Sequence, residues 1–224
     1  MKKFFFTIVS ILVLVLLSCS NEESKTQNQV VARPTVPILN GEVQIGSQIW
    51  MTKNLNVSRY RNGDLIPQVT DSTQWENLTT GAWCYYNNDQ TNGPIYGKLY
   101  NWFAVNDLRG LAPLGWRVPS EDDWFGLTTI LGGSNISGTK MKSTILWSIP
   151  NISTNSSNFT GLPAGYCNYN GLYKNISKDG CWWSTTTGFG PNNALYLNVV
   201  YNSSQAYSTY NDKHMGYTVR CIKN

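Results

Sequence analysis

The clearest pattern in the chain is a period of two near its end. In ALYLNVVY, Leu195, Leu197, Val199 and Tyr201 fall on one face of an extended strand, and Tyr196, Asn198 and Val200 on the other. WWSTT, AYSTY and GYTVRCIKN have the same short-strand character and are separated by Ser-Ser and Asn-Asp turns, which predicts a sheet with one side toward the core. VQIGSQIWMTKNLNV alternates on either side of Gly46 and predicts a hairpin. The period changes in PSEDDWFGLTTILGG: Ser120 can cap, Glu121, Asp122 and Asp123 occupy a positive first turn, and Trp124, Leu127 and Leu131 share a face before Gly132 and Gly133. A second helix is predicted in YGKLYNWFAVND from Leu99, Trp102 and Phe103. Asn151 to Asn158 follows neither period, and Asn170-Gly171 marks a turn. The expectation is an α+β domain over residues 42–224, with two helices, short antiparallel strands and long loops.

Residues 1–18, MKKFFFTIVSILVLVLLS, set two lysines before an apolar run too short to cross about 30 Å of hydrocarbon comfortably, as in a signal peptide. Leu16, Leu17, Ser18 and Cys19 resemble the bacterial lipobox, which implies lipidation of Cys19. Several acyl chains on one cysteine anchor a protein firmly without spanning the bilayer. Ser20 fits sorting to the outer membrane, and Asn21, Glu22 and Glu23 loosely resemble the acidic export tags of Bacteroidetes surface lipoproteins. Residues 19–41, polar and then punctuated by proline, are expected to be a flexible tether.

Without Lys2 and Lys3 the chain carries 15 basic and 13 acidic groups, a balance that gives no reason to expect a nucleic-acid partner. With Cys19 acylated, Cys84, Cys167, Cys181 and Cys221 form an even set in an oxidising compartment, so two disulfides are expected. Four cysteines allow three connectivities, and spacing does not choose among them. Their separations fit neither a zinc ribbon nor a CxxC pair, and His214 is the single histidine, so no metal site or cofactor is expected. Asp89, in YYNNDQTNG, could help ligate an ion but reads more simply as a turn residue. Trp182 and Trp183 are adjacent on a strand and must point to opposite faces, so at most one is expected in the core. Asp71, Ser72 and Thr73 match a short O-glycosylation pattern.

Residues 192–212 hold twelve Asn, Tyr and Ser in twenty-one positions. Tyr offers broad amphipathic contact with few rotatable bonds, and Ser and Asn offer adaptable hydrogen bonds, which is why paratopes favour them. The candidate contact residues are Asn192, Asn193, Tyr196, Asn198, Tyr201, Asn202, Ser203, Ser204, Tyr207, Tyr210 and Asn211.

MTKNLNV, RYRNGDLIP, AWCYYNND, YGKLYNWFAV, RGLAPLGWRVPSEDDW, LGG, WWST and GYTVRCIKN occur in this order between about Val43 and Asn224. Together they resemble the Fibrobacter succinogenes major paralogous domain of Bacteroidetes and Fibrobacteres lipoproteins. The resemblance implies a C-type-lectin-like module, distantly similar to formylglycine-generating enzymes, with its terminal strands side by side. It also implies the pairing Cys84 with Cys221 and, by elimination, Cys167 with Cys181. Bacterial and phage C-type-lectin-like proteins include receptors that vary near their C-termini at Asn, Tyr or Ser positions. The function expected is therefore a non-enzymatic, lipid-anchored outer-membrane or cell-surface protein whose C-terminal face binds a glycan or a protein. The alternatives are a formylglycine-generating-type enzyme, which would need two accessible thiolates of low pKa, and a structural envelope protein without a specific ligand.

Overall fold

In the computed structural model, which describes residues 41–224 and the backbone of Pro37–Ile38, alternation becomes sheet and the capped periodic segment becomes helix. The expected signal peptide, Cys19 and most of the expected tether lie outside the described residues. The elements are β1 (Pro37–Ile38), β2 (Glu42–Ile45), β3 (Gln48–Met51), α1 (Ser72–Glu76), β4 (Trp83–Cys84), α2 (Gly93–Tyr96), β5 (Leu99–Tyr100), α3 (Trp102–Val105), β6 (Trp116–Arg117), α4 (Glu121–Ile130), α5 (Ser134–Met141), β7 (Tyr166–Cys167), β8 (Tyr173–Lys174), β9 (Asp179–Thr187), β10 (Asn193–Val200), β11 (Ala206–Asp212) and β12 (Ile222–Lys223). The architecture is α+β with antiparallel sheets. The predicted hairpin is β2–β3, turning at Gly46 with Ile45 paired to Gln48. β1 extends it, pairing Pro37 with Val43 and Ile38 with Glu42.

One sheet has the order β1-β2-β3-β12-β6 and brings the first and last strands together; a second has the order β11-β10-β9. In the second sheet Leu197 lies opposite Trp182, and Tyr196 opposite Trp183. Trp183 enters a core with Tyr100, Trp102, Tyr217 and Val219. Trp182 enters another with Trp50, Trp124, Phe159, Leu195 and Leu197. Both tryptophans are fully buried, which corrects the expectation of at most one in the core: helices, loops and the first sheet cover both faces of β9 and β10. Their indoles are also satisfied, Trp182 Nε1 donating to Asn54 Oδ1 at 2.8 Å and Trp183 Nε1 to the Tyr100 carbonyl at 2.8 Å.

The second expected helix is a correction as well. Leu99 and Tyr100 pair with Cys84 and Trp83 as β5, and only Trp102–Val105 turns helical. Asn101 Oδ1 accepts from the N–H groups of Ala82 and Ala104, ending the strand and capping α3 with one side chain. The sequence pattern also missed α5, whose residues SNISGTKM are poor helix formers. Tertiary contact supports it: Thr139 N–H donates to Ser204 O at 3.2 Å, and a Cβ on Gly138 would lie 2.1 Å from Gln205 O.

The strand that closes the first sheet is preceded by Arg220, whose guanidinium is fully buried, with no carboxylate paired to it among the described residues. Nε and Nη2 donate to Asn54 Oδ1 at 3.1 and 2.8 Å, and Nη1 donates to Met51 O at 3.0 Å and to Phe159 O at 2.6 Å. The Phe159 ring stacks 4.5 Å from the cation. Burial pulls the Arg220 pKa down to about 9, so it remains charged at neutral pH. Asn54 Nδ2 donates to Tyr96 O at 2.9 Å, so one network joins five separated segments. Replacing Arg220 by Met would strip the Met51 and Phe159 carbonyls of these donors and leave Asn54 Oδ1 with the Trp182 indole alone, each lost partner costing about 1–3 kcal/mol. Arg220→Met is expected to lower unfolding free energy by at least about 3 kcal/mol in urea titrations; a loss below about 1 kcal/mol would show the network to be dispensable.

Candidate binding groove

Helix α4 starts as its sequence requires. Ser120 Oγ accepts from Asp123 N–H, while the Asp123 carboxylate accepts from Ser120 N–H at 2.8 Å and from its hydroxyl at 2.9 Å. Arg117 forks onto the same carboxylate, its Nη2 at 2.8 Å from Oδ1. Burial raises the Asp123 pKa, but the Arg117 and Ser120 hydrogen bonds outweigh it and hold the group below the usual carboxylate value. Trp124, Leu127 and Leu131 are buried, whereas Phe125 is 70 % exposed.

Phe125 lines a groove of about 590 Å³ between α4, the start of α5 and β11. Glu121, Asp122, Thr128 and Thr129 line the helix side, Ser134 one end, and Ala206, Tyr207 and Ser208 the strand side. Carboxylates that accept, hydroxyls that donate or accept, and an exposed aromatic form a chemistry suited to a polyhydroxylated ligand. Phe125 was not among the residues singled out by the sequence; its signal was a large aromatic lying off the apolar stripe of Trp124, Leu127 and Leu131.

The eleven C-terminal candidates do not form one face. Opposite residues across β10–β11 share a side, which puts Tyr196, Asn198, Tyr207 and Asn211 on one side and Asn193 and Tyr210 on the other. Asn198 is buried and donates to Cys181 Sγ at 3.1 Å. Half-buried Tyr196 stacks on Tyr217 with ring centroids 4.4 Å apart, and Asn211 donates to the Tyr217 hydroxyl at 2.8 Å. Half-buried Tyr201 packs against the core of Trp50 and Trp182. Asn192 precedes β10, while Asn202, Ser203 and Ser204 follow it, so the eight-residue strand holds these groups roughly 25 Å apart. Tyr207 and Tyr210 are exposed, the latter against Phe189 at 5.8 Å. Of the eleven, Tyr207 alone lines the groove.

The turn beyond β10 is fixed by Lys142, a buried ammonium that donates to the carbonyls of Val200, Tyr201 and Ser203 at 2.8, 3.0 and 2.8 Å. Burial draws its pKa down to about 8. Ser204 Oγ donates to Asn135 O at 2.7 Å, which ties the same turn to α5. One wall of the groove is thus set by a buried cation and a helix start rather than by a mobile loop.

The remaining expectations resolve locally. Asp89 accepts from the N–H and hydroxyl of Thr91 at 2.9 and 2.7 Å as an exposed turn residue. Asp71 caps α1 through Gln74 N–H at 2.7 Å. His214 Nδ1 lies 2.6 Å from Asp212 Oδ1, a carboxylate partner the sequence did not assign. All four cysteines of the domain are buried with free thiols, and neither expected pair, Cys84 with Cys221 or Cys167 with Cys181, shares a core. Cys84 sits with Cys167 in a small satellite core, whereas Cys181 and Cys221 belong to the larger core around Trp183. The topology separates each expected pair into different cores.

A family model, Fibrobacter succinogenes major domain, matches residues 43–223. The chain belongs to this family. No curated protein and no solved structure matches it. The quoted family blocks supply the joints of the scaffold in this member: Asn54 from MTKNLNV, Asn101 from YGKLYNWFAV, Trp182 from WWST and Arg220 from GYTVRCIKN. The groove overlaps the family blocks at Glu121 and Asp122 at the start of α4 and at Gly133 of LGG.

The low pKa of Asp123 makes α4 acid-sensitive. The folded protein keeps this proton off where the unfolded chain, with a carboxylate near about 3.9, binds it. The stabilisation is complete above that value and is lost as pH falls through the lower, folded one. Asp123→Ala is expected to cost about 1 kcal/mol at pH 7, with the deficit shrinking at pH 3 in paired urea titrations; a deficit independent of pH would contradict the charged cap.

Proposed function

We propose that this is a non-enzymatic, lipid-anchored envelope protein that holds a glycan in the groove between α4 and β11. The observation that carries the proposal is the exposed ring of Phe125 beside Glu121, Asp122 and the hydroxyls of Thr129, Ser134 and Ser208 in one open groove. Apolar sugar faces stack on such rings, and sugar hydroxyls donate to carboxylates. The same groove narrows the earlier C-terminal candidates to Tyr207 and adds its neighbour Ser208.

Anchoring through acylated Cys19 and placement at the outer membrane rest on residues 1–23. Among the described residues no helix is long and apolar enough to cross a membrane. The C-type-lectin-like fold is proposed on the shared sheet of the terminal strands, the capped helix opened by GWRVPSEDDW, and the loop-rich second sheet. A formylglycine-type enzyme would require exposed, readily ionised thiols. Burial instead pushes the Cys84, Cys181 and Cys221 thiols up, which favours the binding reading.

Glycan-array binding of the full-length protein, followed by calorimetry with the strongest hit, tests the proposal. Phe125→Ala is expected to weaken binding at least about tenfold with little change in melting temperature, whereas Tyr169→Ala, an exposed tyrosine outside the groove, leaves affinity unchanged. Equal affinities for wild type and Phe125→Ala, or no glycan bound at all, would overturn it.

A further inference from the structure

We propose that Cys84 and Cys167 are a disulfide site, giving the domain one covalent tie with a connectivity that the family resemblance does not imply. The juxtaposition is built by three short pairings. Cys84 on β4 lies opposite Leu99 on β5. Tyr100, the next residue, pairs with Tyr217. Gly216, the residue before that, exchanges two hydrogen bonds with Cys167, at 3.0 and 2.7 Å. Gly216 is the spacer that permits the approach, because a Cβ there would meet Cys167 Cβ at 2.8 Å and Leu99 Cβ at 3.4 Å. Cys84 and Cys167 consequently share a satellite core with Val69, Trp75 and Leu99, and both are essentially inaccessible. Tyr173 pairs with Cys167 across β7–β8, and its hydroxyl donates to Asn88 Oδ1 at 2.7 Å, which closes the side of this core nearest the β4 end. Burial pushes the Cys84 thiol up, and Cys167 lies near enough in this core to disfavour its ionisation further.

The other two cysteines are placed differently. Cys181 receives a hydrogen bond from Asn198 Nδ2 at 3.1 Å, and Cys221 lies in the same large core behind β3, its carbonyl bonded to Met51 N–H. A single bridge with two buried thiols remaining reduced is the state this geometry favours. The chemistry is thiol–disulfide exchange with a disulfide of a protein oxidoreductase or of glutathione. The Cys84–Cys167 S–S bond forms, the oxidant's S–S bond breaks, and the two thiol protons pass to its sulfurs. Since both thiols are buried in the folded state, exchange precedes closure of the satellite core. The bridge would tie β4 to the β7–β8 hairpin across 83 residues of sequence.

Only the supply of oxidant in the cell rests on the proposed envelope location, so the test separates the two. The full-length protein, extracted from membranes in detergent, is alkylated under denaturing non-reducing conditions and mapped by mass spectrometry. A second sample is unfolded, reduced and refolded with oxidised and reduced glutathione. The refolded sample is expected to yield a Cys84–Cys167 linked peptide, with Cys181 and Cys221 alkylated. Its melting temperature is expected to fall by about 10 °C on reduction, and Cys84→Ser and Cys167→Ser should each abolish that redox-dependent difference. The variant carrying Cys181→Ser and Cys221→Ser should retain both the linked peptide and the difference. Peptides linking Cys84 to Cys221, or four alkylated thiols in the refolded wild type, would overturn the proposal. Alkylation of Cys19 in the extracted sample would count against the lipid anchor and leaves this result intact.

Discussion

Arg220 is a fully buried cation with no counter-ion among the described residues, and the arrangement of the rest follows from the need to solvate it. Removing a guanidinium from water costs several kcal/mol unless its donors are met by fixed dipoles. Here they are met by Asn54 and by carbonyls of Met51 and Phe159, with an aromatic face 4.5 Å away. The acceptors come from the early hairpin region and from a long loop after α5, so neither segment can shift without exposing an unpaired charge. Asn54 extends the constraint to Trp182 and to the end of α2. Lys142, also buried, repeats the device, with the carbonyls of Val200, Tyr201 and Ser203 gathered on one ammonium.

This internal polar framework explains how a domain of short strands and irregular connections maintains two cores. The β9–β10 pair divides them and buries a tryptophan on each side. Positions on those strands are therefore committed to packing, including Tyr196 and Asn198, whose residue types alone suggest a contact surface. Freedom to recognise something else lies at the margin, where β11 runs past α4 and leaves Phe125 and the first-turn carboxylates open to solvent. Scaffold and proposed groove are thus largely separate in sequence: Asn54, Asn101, Trp182 and Arg220 fall in the family blocks, and most of the groove falls outside them.

What could be read directly was local. The capping box of α4, the β2–β3 hairpin and the strands β9 to β11 each carry their instructions within a dozen residues. Failures came where distant contacts decide. YGKLYNWFAVND has helical spacing, but Cys84 and Trp83 recruit its first half as a strand. SNISGTKM has weak helical propensity, but the close backbone approach at Gly138 and the bond to Ser204 hold it as a helix. The cysteine partners could not be inferred from spacing because they depend on Gly216, a position whose small size matters only once Leu99 and Cys167 have come together. The Asn/Tyr/Ser-rich stretch was visible as composition, yet strand register divides it between two faces and two ends of the sheet.

The most direct test of the central claim is native-state hydrogen exchange at the Arg220 Nε–H, read by nitrogen-edited magnetic resonance alongside the backbone amides. If the buried guanidinium holds the two cores together, this proton exchanges only when the whole domain unfolds, with the same free energy as the slowest amides of β9 and β10. Exchange that is fast compared with those amides, or governed by a local opening of low energy, would show that the cation is a passenger in the core and not its fixed point.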